Sequence, residues 1–180
     1  MKPSENTLVL GGCKSGKSRF AQKISEKLSP DRRLYIATCV PLDEEMKDRV
    51  ARHRLDRDSS WTTIETPLDI ARNIKEYSRT YGVILLDCLT LWVTNMLMEG
   101  MAQEAILEKV EELNAALESS ACPVVVVSNE VGAGIVPESA LARLFRDIQG
   151  IVNQRVAKAV DRVVVTLAGI PLTIKGKNLL

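Results

Sequence analysis

The segment from Gly11 to Ser18 constrains the fold of this chain more than any other. It reads Gly-Gly-Cys-Lys-Ser-Gly-Lys-Ser, which is a complete GxxxxGKS motif. An apolar run ends at Leu10, directly before the motif, and an amphipathic stretch from Lys17 to Leu28 follows it. A strand, this loop and a helix in that order are typical of a phosphate-binding loop. An ordinary glycine-rich turn between strand and helix is the alternative, but the spacing and the context both favour the phosphate loop.

Each position of this loop has a predicted role in binding a nucleoside triphosphate. The glycines allow consecutive backbone N–H groups to point at phosphate oxygens, and the positive end of the following helix adds to the attraction. Lys17 should reach the β- and γ-phosphates, and the Ser18 hydroxyl should be a ligand of Mg²⁺. For Lys14, a phosphate contact and a solvated side chain remain equally good interpretations. The predicted loop contacts are Gly11, Gly12, Cys13, Lys14, Ser15, Gly16, Lys17 and Ser18.

A second acidic ligand is needed to hold the metal ion. The run Val83-Ile84-Leu85-Leu86-Asp87 is an apolar strand that ends in a carboxylate, as P-loop proteins use. Asp87 is therefore predicted to bind Mg²⁺ together with Ser18. A strand-end aspartate that caps the next turn is the alternative.

The rest of the chain predicts one α/β domain over residues 1–180. Short β-branched runs alternate with amphipathic segments, which is typical of a mainly parallel sheet with helices on both faces. A chain of 180 residues with 46% hydrophobic residues suits one compact core. After the last run, Gly169 and Pro171 to Lys175 predict an antiparallel hairpin at the sheet edge. Predicted strands are Asn6–Leu10, Arg33–Thr38, Thr62–Glu65, Gly82–Asp87, Pro123–Ser128 and Arg162–Leu167, and further helices are Ala102–Leu117 and Ala140–Ala159.

Composition argues against several classes of partner. Lys and Arg number 24 against 23 Asp and Glu, a formal charge of +1, so no global field attracts nucleic acid or an anionic membrane. The longest apolar runs, near Val83 to Leu86 and Pro123 to Val127, are too short to span a bilayer. The first six residues do not resemble a secretory signal, and the four cysteines form no CxxC pair. A cytoplasmic protein is expected.

His53 is the only histidine in the chain. In a helix it would share a stripe with Met46, Val50 and Arg57, and several arginines surround it. Neighbouring cations disfavour imidazolium and would leave a ring nitrogen available as a nucleophile. A histidine on a surface helix beside a solvated basic cluster is the alternative, and the periodicity by itself leaves both open.

Nearly the whole chain resembles the bifunctional adenosylcobinamide kinase / adenosylcobinamide-phosphate guanylyltransferase family of cobalamin biosynthesis. The resemblance rests on the order and spacing of several segments rather than on one motif. These are the loop 11–18, Tyr35-Ile36-Ala37-Thr38, the Arg49–Arg57 segment with His53 and then Trp61, Thr63-Ile64-Glu65, Leu86-Asp87-Cys88-Leu89-Thr90 with Asn95, Ser128 to Pro137, and Phe145-Arg146-Asp147 with Gly150, Asn153 and Gln154.

The resemblance implies two reactions at one nucleotide site. In the first, an NTP such as ATP or GTP phosphorylates the hydroxyl of the aminopropanol arm of adenosylcobinamide, with Mg²⁺ and Lys17 stabilising the transferred group. In the second, His53 attacks the α-phosphorus of GTP, and the GMP-histidine transfers GMP to adenosylcobinamide phosphate. The resemblance also implies a homotrimer.

Further site residues come from the same resemblance. It implies nucleotide contacts from Ala37, Thr38, Cys39, Arg54, Leu55, Asp56, Arg57, Glu65 and Asp87. Glu65 also has a chemical rationale, since a carboxylate can accept from the adjacent ring N–H and amino donors of guanine, which adenine lacks. An exposed strand-end glutamate is the alternative. At the carboxyl end of a central strand lie Ser128, Asn129 and Glu130, to which we assign only weakly a role on the corrinoid side of the site or in catalysis.

Some positions depart from the family pattern, and other functions remain open. Cys13-Lys14 stands where Ala-Arg is common, Asp87 where some members have Glu, and Asp58 where proline is frequent. A P-loop kinase that performs one reaction on another metabolite is the first alternative. A nucleotide-dependent switch is the second, and the absence of an Asn-Lys-x-Asp sequence argues against it.

Overall fold

The computed structural model describes residues 5–41, 44 and 57–178, and these contain seven strands and five helices. We number both in chain order. The strands are β1 (Thr7–Gly11), β2 (Arg33–Ala37), β3 (Trp61–Glu65), β4 (Val83–Asp87), β5 (Val124–Asn129), β6 (Arg162–Leu167) and β7 (Ile170–Lys175). The helices are α1 (Lys17–Leu28), α2 (Ile70–Tyr77), α3 (Leu89–Met98), α4 (Gln103–Ser119) and α5 (Ala140–Ala159).

All seven strands form one sheet in the order β3-β2-β4-β5-β1-β6-β7. Every neighbouring pair is parallel except β6 and β7, which form an antiparallel hairpin at the edge. The predicted fold class, a mainly parallel sheet with a C-terminal hairpin, is therefore confirmed. Strand β5 lies between β1 and β4, so it separates the phosphate loop from Asp87.

Helices cover both faces of the sheet, and this explains why the central strands are apolar along their whole length. On one face, Val9, Leu85 and Val127 pack with residues of α1. On the opposite face, Leu8 and Val126 pack with residues of the other four helices. Side chains therefore alternate between the two faces along each strand. We call the first of these the α1 face.

Most predicted boundaries agree with the structure to within one or two residues, and α1 and α5 agree at both ends. Two helices, α2 and α3, were not predicted. Helix α2 has only eight residues, which is little more than two turns. Helix α3 buries Leu89, Trp92, Val93 and Met96 between sheet and neighbouring helix, so its sequence lacks a clear polar stripe. No helix in the described part of the chain is long and apolar enough to cross a membrane.

Candidate active site

The loop between β1 and α1 folds as a phosphate-binding turn. Lys14 and Gly16 have left-handed backbone conformations, with φ of 53° and 95°. Gly16 is the residue before α1, and its lack of a side chain makes that conformation inexpensive. Among the residues that the structure describes, no side chain caps this helix end, and no acid lies in its first turn. Its N–H groups and its positive dipole are therefore directed at any anion that the loop holds.

Gly11 is required by close packing rather than by its backbone angles. A Cβ atom at Gly11 would overlap with Ser15 Oγ and Thr166 Oγ1. Those two hydroxyls are 2.8 Å apart and hydrogen-bonded, and Gly169 N donates to Ser15 O at 3.0 Å. The loop is therefore anchored to β6 and to the turn of the β6–β7 hairpin.

Lys17 is held above this loop. Its Nζ donates to the carbonyl oxygen of Gly12 at 3.1 Å, and its side chain is half-buried. The first residue of α1 therefore reaches back to the start of the loop, and its ammonium group lies beside the loop backbone. A lysine held there can neutralise phosphate charge.

Asp87 lies on the α1 face at the end of β4. The Tyr35 hydroxyl donates to its Oδ2 at 3.1 Å. Burial, followed by the neighbouring Asp87 charge, raises the pKa of Tyr35 well above its usual value, so this phenol stays protonated. Tyr35 fixes one carboxylate oxygen, and the other can serve a cation. Sequence reasoning gave Tyr35 no role, although its position two residues before Ala37 in β2 places both side chains on the same face.

Thr38 holds the chain that follows Asp87. Its hydroxyl donates to the carbonyl oxygen of Cys88 and accepts from the N–H of Cys88, both at 2.8 Å. The Thr38 N–H donates to Asp87 O at 3.2 Å, and Asn95 Nδ2 donates to Thr38 O at 2.8 Å. Thr38 is fully buried, so the structure uses its hydroxyl to position the strand end of β4. Cys39, the next residue, is half-buried.

Three strand ends lie level on the α1 face. Ala37 is in register with Glu65 on one side and with Asp87 on the other. Gly11 lies farther along the same edge, two strands beyond Asp87. Glu65 is thus four strand spacings from the phosphate loop, which is about 19 Å. Glu65 is exposed, as the edge position of β3 requires.

Two cavities that share one lining residue contain Asp87 and Glu65. The first, of about 400 Å³, is lined by α1 and by the ends of β2 and β4, and it contains Ser18, Tyr35 and Asp87. The second, of about 570 Å³, contains Trp61, Thr63 and Glu65. Arg57 lines both cavities. Its guanidinium carbon lies 3.8 Å from the centre of the Tyr35 ring, where stacking holds the side chain in place. The structure therefore brings the two predicted metal ligands together beside Arg57.

Four predicted site residues, His53, Arg54, Leu55 and Asp56, lie outside the described residues. The predicted helical stripe of Met46, Val50 and His53 lies there too. Arg57 is the first residue described after this segment. In the described part of the chain, no group of three His, Cys, Asp or Glu side chains is arranged to hold a metal ion. An ion bound here would need oxygens from Ser18, Asp87, water and the nucleotide.

Comparisons with known proteins agree with this geometry. Residues 7–174 match the model of the family described as cobinamide kinase / cobinamide phosphate guanyltransferase. The bifunctional adenosylcobalamin biosynthesis protein CobP of Pseudomonas aeruginosa is 39% identical over 178 residues, covering 96% of this chain and 98% of the relative. The bifunctional adenosylcobalamin biosynthesis protein CobU of Escherichia coli is 41% identical over 180 residues, covering 93% of this chain and 98% of the relative.

A solved structure also has the same fold. The KaiC-like protein of Pyrococcus horikoshii aligns with a TM-score of 0.55 and 12% identity, and the match covers 97% of this chain and 80% of that one. At this identity the likeness concerns the fold alone.

Proposed function

Since this chain belongs to the cobinamide kinase / cobinamide phosphate guanyltransferase family, we propose that its two reactions share the phosphate loop and Asp87. The chain is a bifunctional enzyme of adenosylcobalamin biosynthesis, with kinase and guanylyltransferase activities. The observation that supports a shared site is the common cavity of Ser18 and Asp87 at the start of α1.

In the kinase reaction, the loop N–H groups and Lys17 hold the β- and γ-phosphates of the nucleotide. The hydroxyl of the aminopropanol arm of adenosylcobinamide attacks the γ-phosphorus, and the nucleoside diphosphate leaves. Charge develops on the transferred phosphoryl oxygens, and the fixed donors of the loop stabilise it without reorganising. Lys17 contributes most among the side chains because its ammonium group already lies over the loop.

Ser18 and Asp87 would hold Mg²⁺ in both reactions. A hydroxyl and a carboxylate are hard oxygen ligands of the kind that this ion prefers, and Tyr35 orients the carboxylate. When bound, the ion neutralises phosphate charge and helps to align the triphosphate. ATP and GTP both present the triphosphate that this arrangement recognises.

In the transferase reaction, His53 is the proposed nucleophile. One imidazole nitrogen forms a bond with the α-phosphorus of GTP, the bond to the bridging oxygen breaks, and pyrophosphate leaves. A phosphate oxygen of adenosylcobinamide phosphate then attacks the same phosphorus and displaces the histidine, which gives the GDP-linked corrinoid. Nucleotide contacts from Arg54 to Arg57 and from Glu65 belong to this proposal. Arg57 supports it, since it lines both the cavity that contains Ser18 and Asp87 and the cavity that contains Glu65.

Incubation with GTP labelled at the α-phosphate tests this mechanism directly. We expect covalent label on the wild-type protein that is labile in acid, stable in base, and located on the peptide around His53. His53→Ala should lose the label and the transferase activity, while phosphorylation of adenosylcobinamide remains within about threefold, because γ-phosphoryl transfer needs no protein nucleophile.

The same experiment separates the alternatives. A kinase with one reaction, or a nucleotide-dependent switch, would take up no GMP. Label that persists in His53→Ala, or that maps to Lys14 or Lys17, would contradict the nucleophile assignment. Loss of kinase activity as well as transferase activity in that variant would assign His53 to the fold or to the nucleotide pocket.

A cytoplasmic homotrimer completes the proposal. A cyclic trimer needs two different, complementary surfaces on each subunit. Two groups of exposed apolar side chains support this requirement. One group, on the β6–β7 hairpin, comprises Leu167, Ile170, Leu172 and Ile174. The other group, around the start of α5, comprises Ile135, Val136, Leu141 and Leu144. Leu172→Glu should convert a trimeric mass into a monomeric one in light scattering. An unchanged mass would remove the hairpin from the interface.

A further inference from the structure

Asn129 occupies a position beside the phosphate loop that the reactions described above do not use. It is the last residue of β5, the strand between β1 and β4. It lies in register with Gly11, the first residue of the loop, about 5 Å away across one strand spacing. Asp87 on the other neighbouring strand is in register with Val127, two residues before Asn129.

The alternation of side chains places Asn129 on the functional face. Val125 and Val127 pack on the α1 face, and Val124 and Val126 pack on the opposite one. Asn129 therefore faces the same side as Val127, Asp87 and the loop. Its neighbour Ser128 faces the other side, where its hydroxyl bonds to Asn153 Oδ1 at 2.7 Å.

The backbone of Asn129 is fixed from three directions. Its N–H donates to Thr90 Oγ1 at 2.9 Å, its carbonyl oxygen accepts from Asn153 Nδ2 at 3.0 Å, and the next N–H, of Glu130, donates to Gly11 O at 3.1 Å. These bonds come from the start of α3, from α5 and from the phosphate loop. The side chain is therefore carried by a rigid strand end.

The Asn129 side-chain oxygen is buried and has no hydrogen-bond partner among the described residues. An unpaired buried acceptor destabilises the folded protein, and a ligand that donates a hydrogen bond would remove this cost. Oxygens of an ionised phosphate carry no hydrogen and cannot pair with it. The hydroxyl that attacks the γ-phosphorus can.

We propose that Asn129 rotates its amide so that the side-chain oxygen accepts a hydrogen bond from the attacking hydroxyl of the corrinoid substrate in the kinase reaction, which aims the hydroxyl oxygen at the γ-phosphorus. This inference rests on the proposed kinase mechanism. The hydroxyl oxygen bonds to the γ-phosphorus, the bond to the β,γ-bridging oxygen breaks, and the nucleoside diphosphate leaves with that electron pair. The hydroxyl proton passes to a phosphoryl oxygen, because an amide is too weak a base to keep it.

The transferase reaction provides the internal control. Its acceptor is the phosphate of adenosylcobinamide phosphate, whose ionised oxygens offer Asn129 no donor. Asn129→Ala should lower the kinase kcat about 10- to 100-fold, the effect of losing one hydrogen bond to the reacting group. GMP transfer to separately prepared adenosylcobinamide phosphate should stay within about threefold, and the Kd for ATP should not change.

Asn114→Ala is the matched control, since the side-chain oxygen of Asn114, on α4, is also buried without a hydrogen-bond partner in the described part of the chain. Both of its activities should match the wild type. Asn129→Ser provides a second variant if the alanine protein does not fold, which its circular dichroism spectrum would reveal, and it should show the same selective kinase defect.

Equal losses in both reactions would overturn the proposal, because the amide would then serve the nucleotide or the fold. An unchanged kinase kcat would overturn it as well. Failure of the kinase mechanism itself would look different, since the wild-type protein would then not phosphorylate adenosylcobinamide.

Discussion

The phosphate end and the Glu65 end of the site lie on one face of the same sheet, but they are built in different ways. At the phosphate end, backbone groups, a buried pair of hydroxyls and Lys17 fix the loop against its neighbours. At the other end, Glu65 projects from the edge strand β3, whose side chains are largely exposed. The difference suggests that phosphate binding is common to every nucleotide, whereas base selection depends on a few side chains that can change at little cost to the fold.

The largest effect should come from the phosphate end. Lys17→Ala should impair kinase and transferase together, each by several kcal/mol of transition-state stabilisation, because both reactions need the same triphosphate contacts. Steady-state kcat/KM for the two reactions, measured on the same preparation, provides the test. One activity at the wild-type level would refute a shared phosphate site.

Lys27→Ala is a suitable control for this variant. Lys27 is exposed in the last turn of α1, ten residues and about 15 Å of helix from Lys17. The Lys27→Ala substitution removes one positive charge from the same helix and leaves the phosphate loop unchanged. Both activities should remain within about twofold of the wild type.

A smaller and more selective effect is expected at the other end. Glu65→Gln should reduce the preference for GTP over ATP in the transferase reaction by about 1–3 kcal/mol, since an amide can no longer accept from both guanine donors. The ratio of kcat/KM for the two nucleotides measures this preference, and kinase activity with ATP should hardly change.

Glu118→Gln, an equivalent change at an exposed position of α4, should leave the ratio unaltered. If Glu65→Gln also left it unaltered, base selection would have to reside elsewhere. A loss shared equally by kinase and transferase would show that the two ends of the site are not independent.

Much of the phosphate end could be predicted from the sequence because its determinants are local. The motif from Gly11 to Ser18 lies within eight consecutive residues, and the strand that ends at Asp87 is recognisable from its own composition. The helix that begins at Lys17 follows from its amphipathic pattern. Each of these features depends on backbone conformation and on neighbours within a few residues.

Tyr35 received no role in this way, and Asn129 received only a weak corrinoid-side or catalytic one. Their roles depend on which strands are neighbours, and β5 is inserted between two strands that precede it in the chain. Local patterns define a strand and its two faces, but they do not define its place in the sheet. The hydrogen bond from Tyr35 to Asp87 joins residues that are 52 positions apart.

The sequence by itself therefore determined the phosphate loop, the alternation of strands and helices, and the family to which the chain belongs. Only the tertiary structure decided that Asp87 is oriented by a buried phenol and that Arg57 stacks on Tyr35. It also decided that Asn129 lies beside the loop with a side-chain oxygen that has no partner among the described residues. The physical reason is that the first set arises from short-range backbone preferences and residue spacing. The second set arises from strand order and packing between distant segments, which fix the neighbours of each side chain only when the whole sheet has assembled.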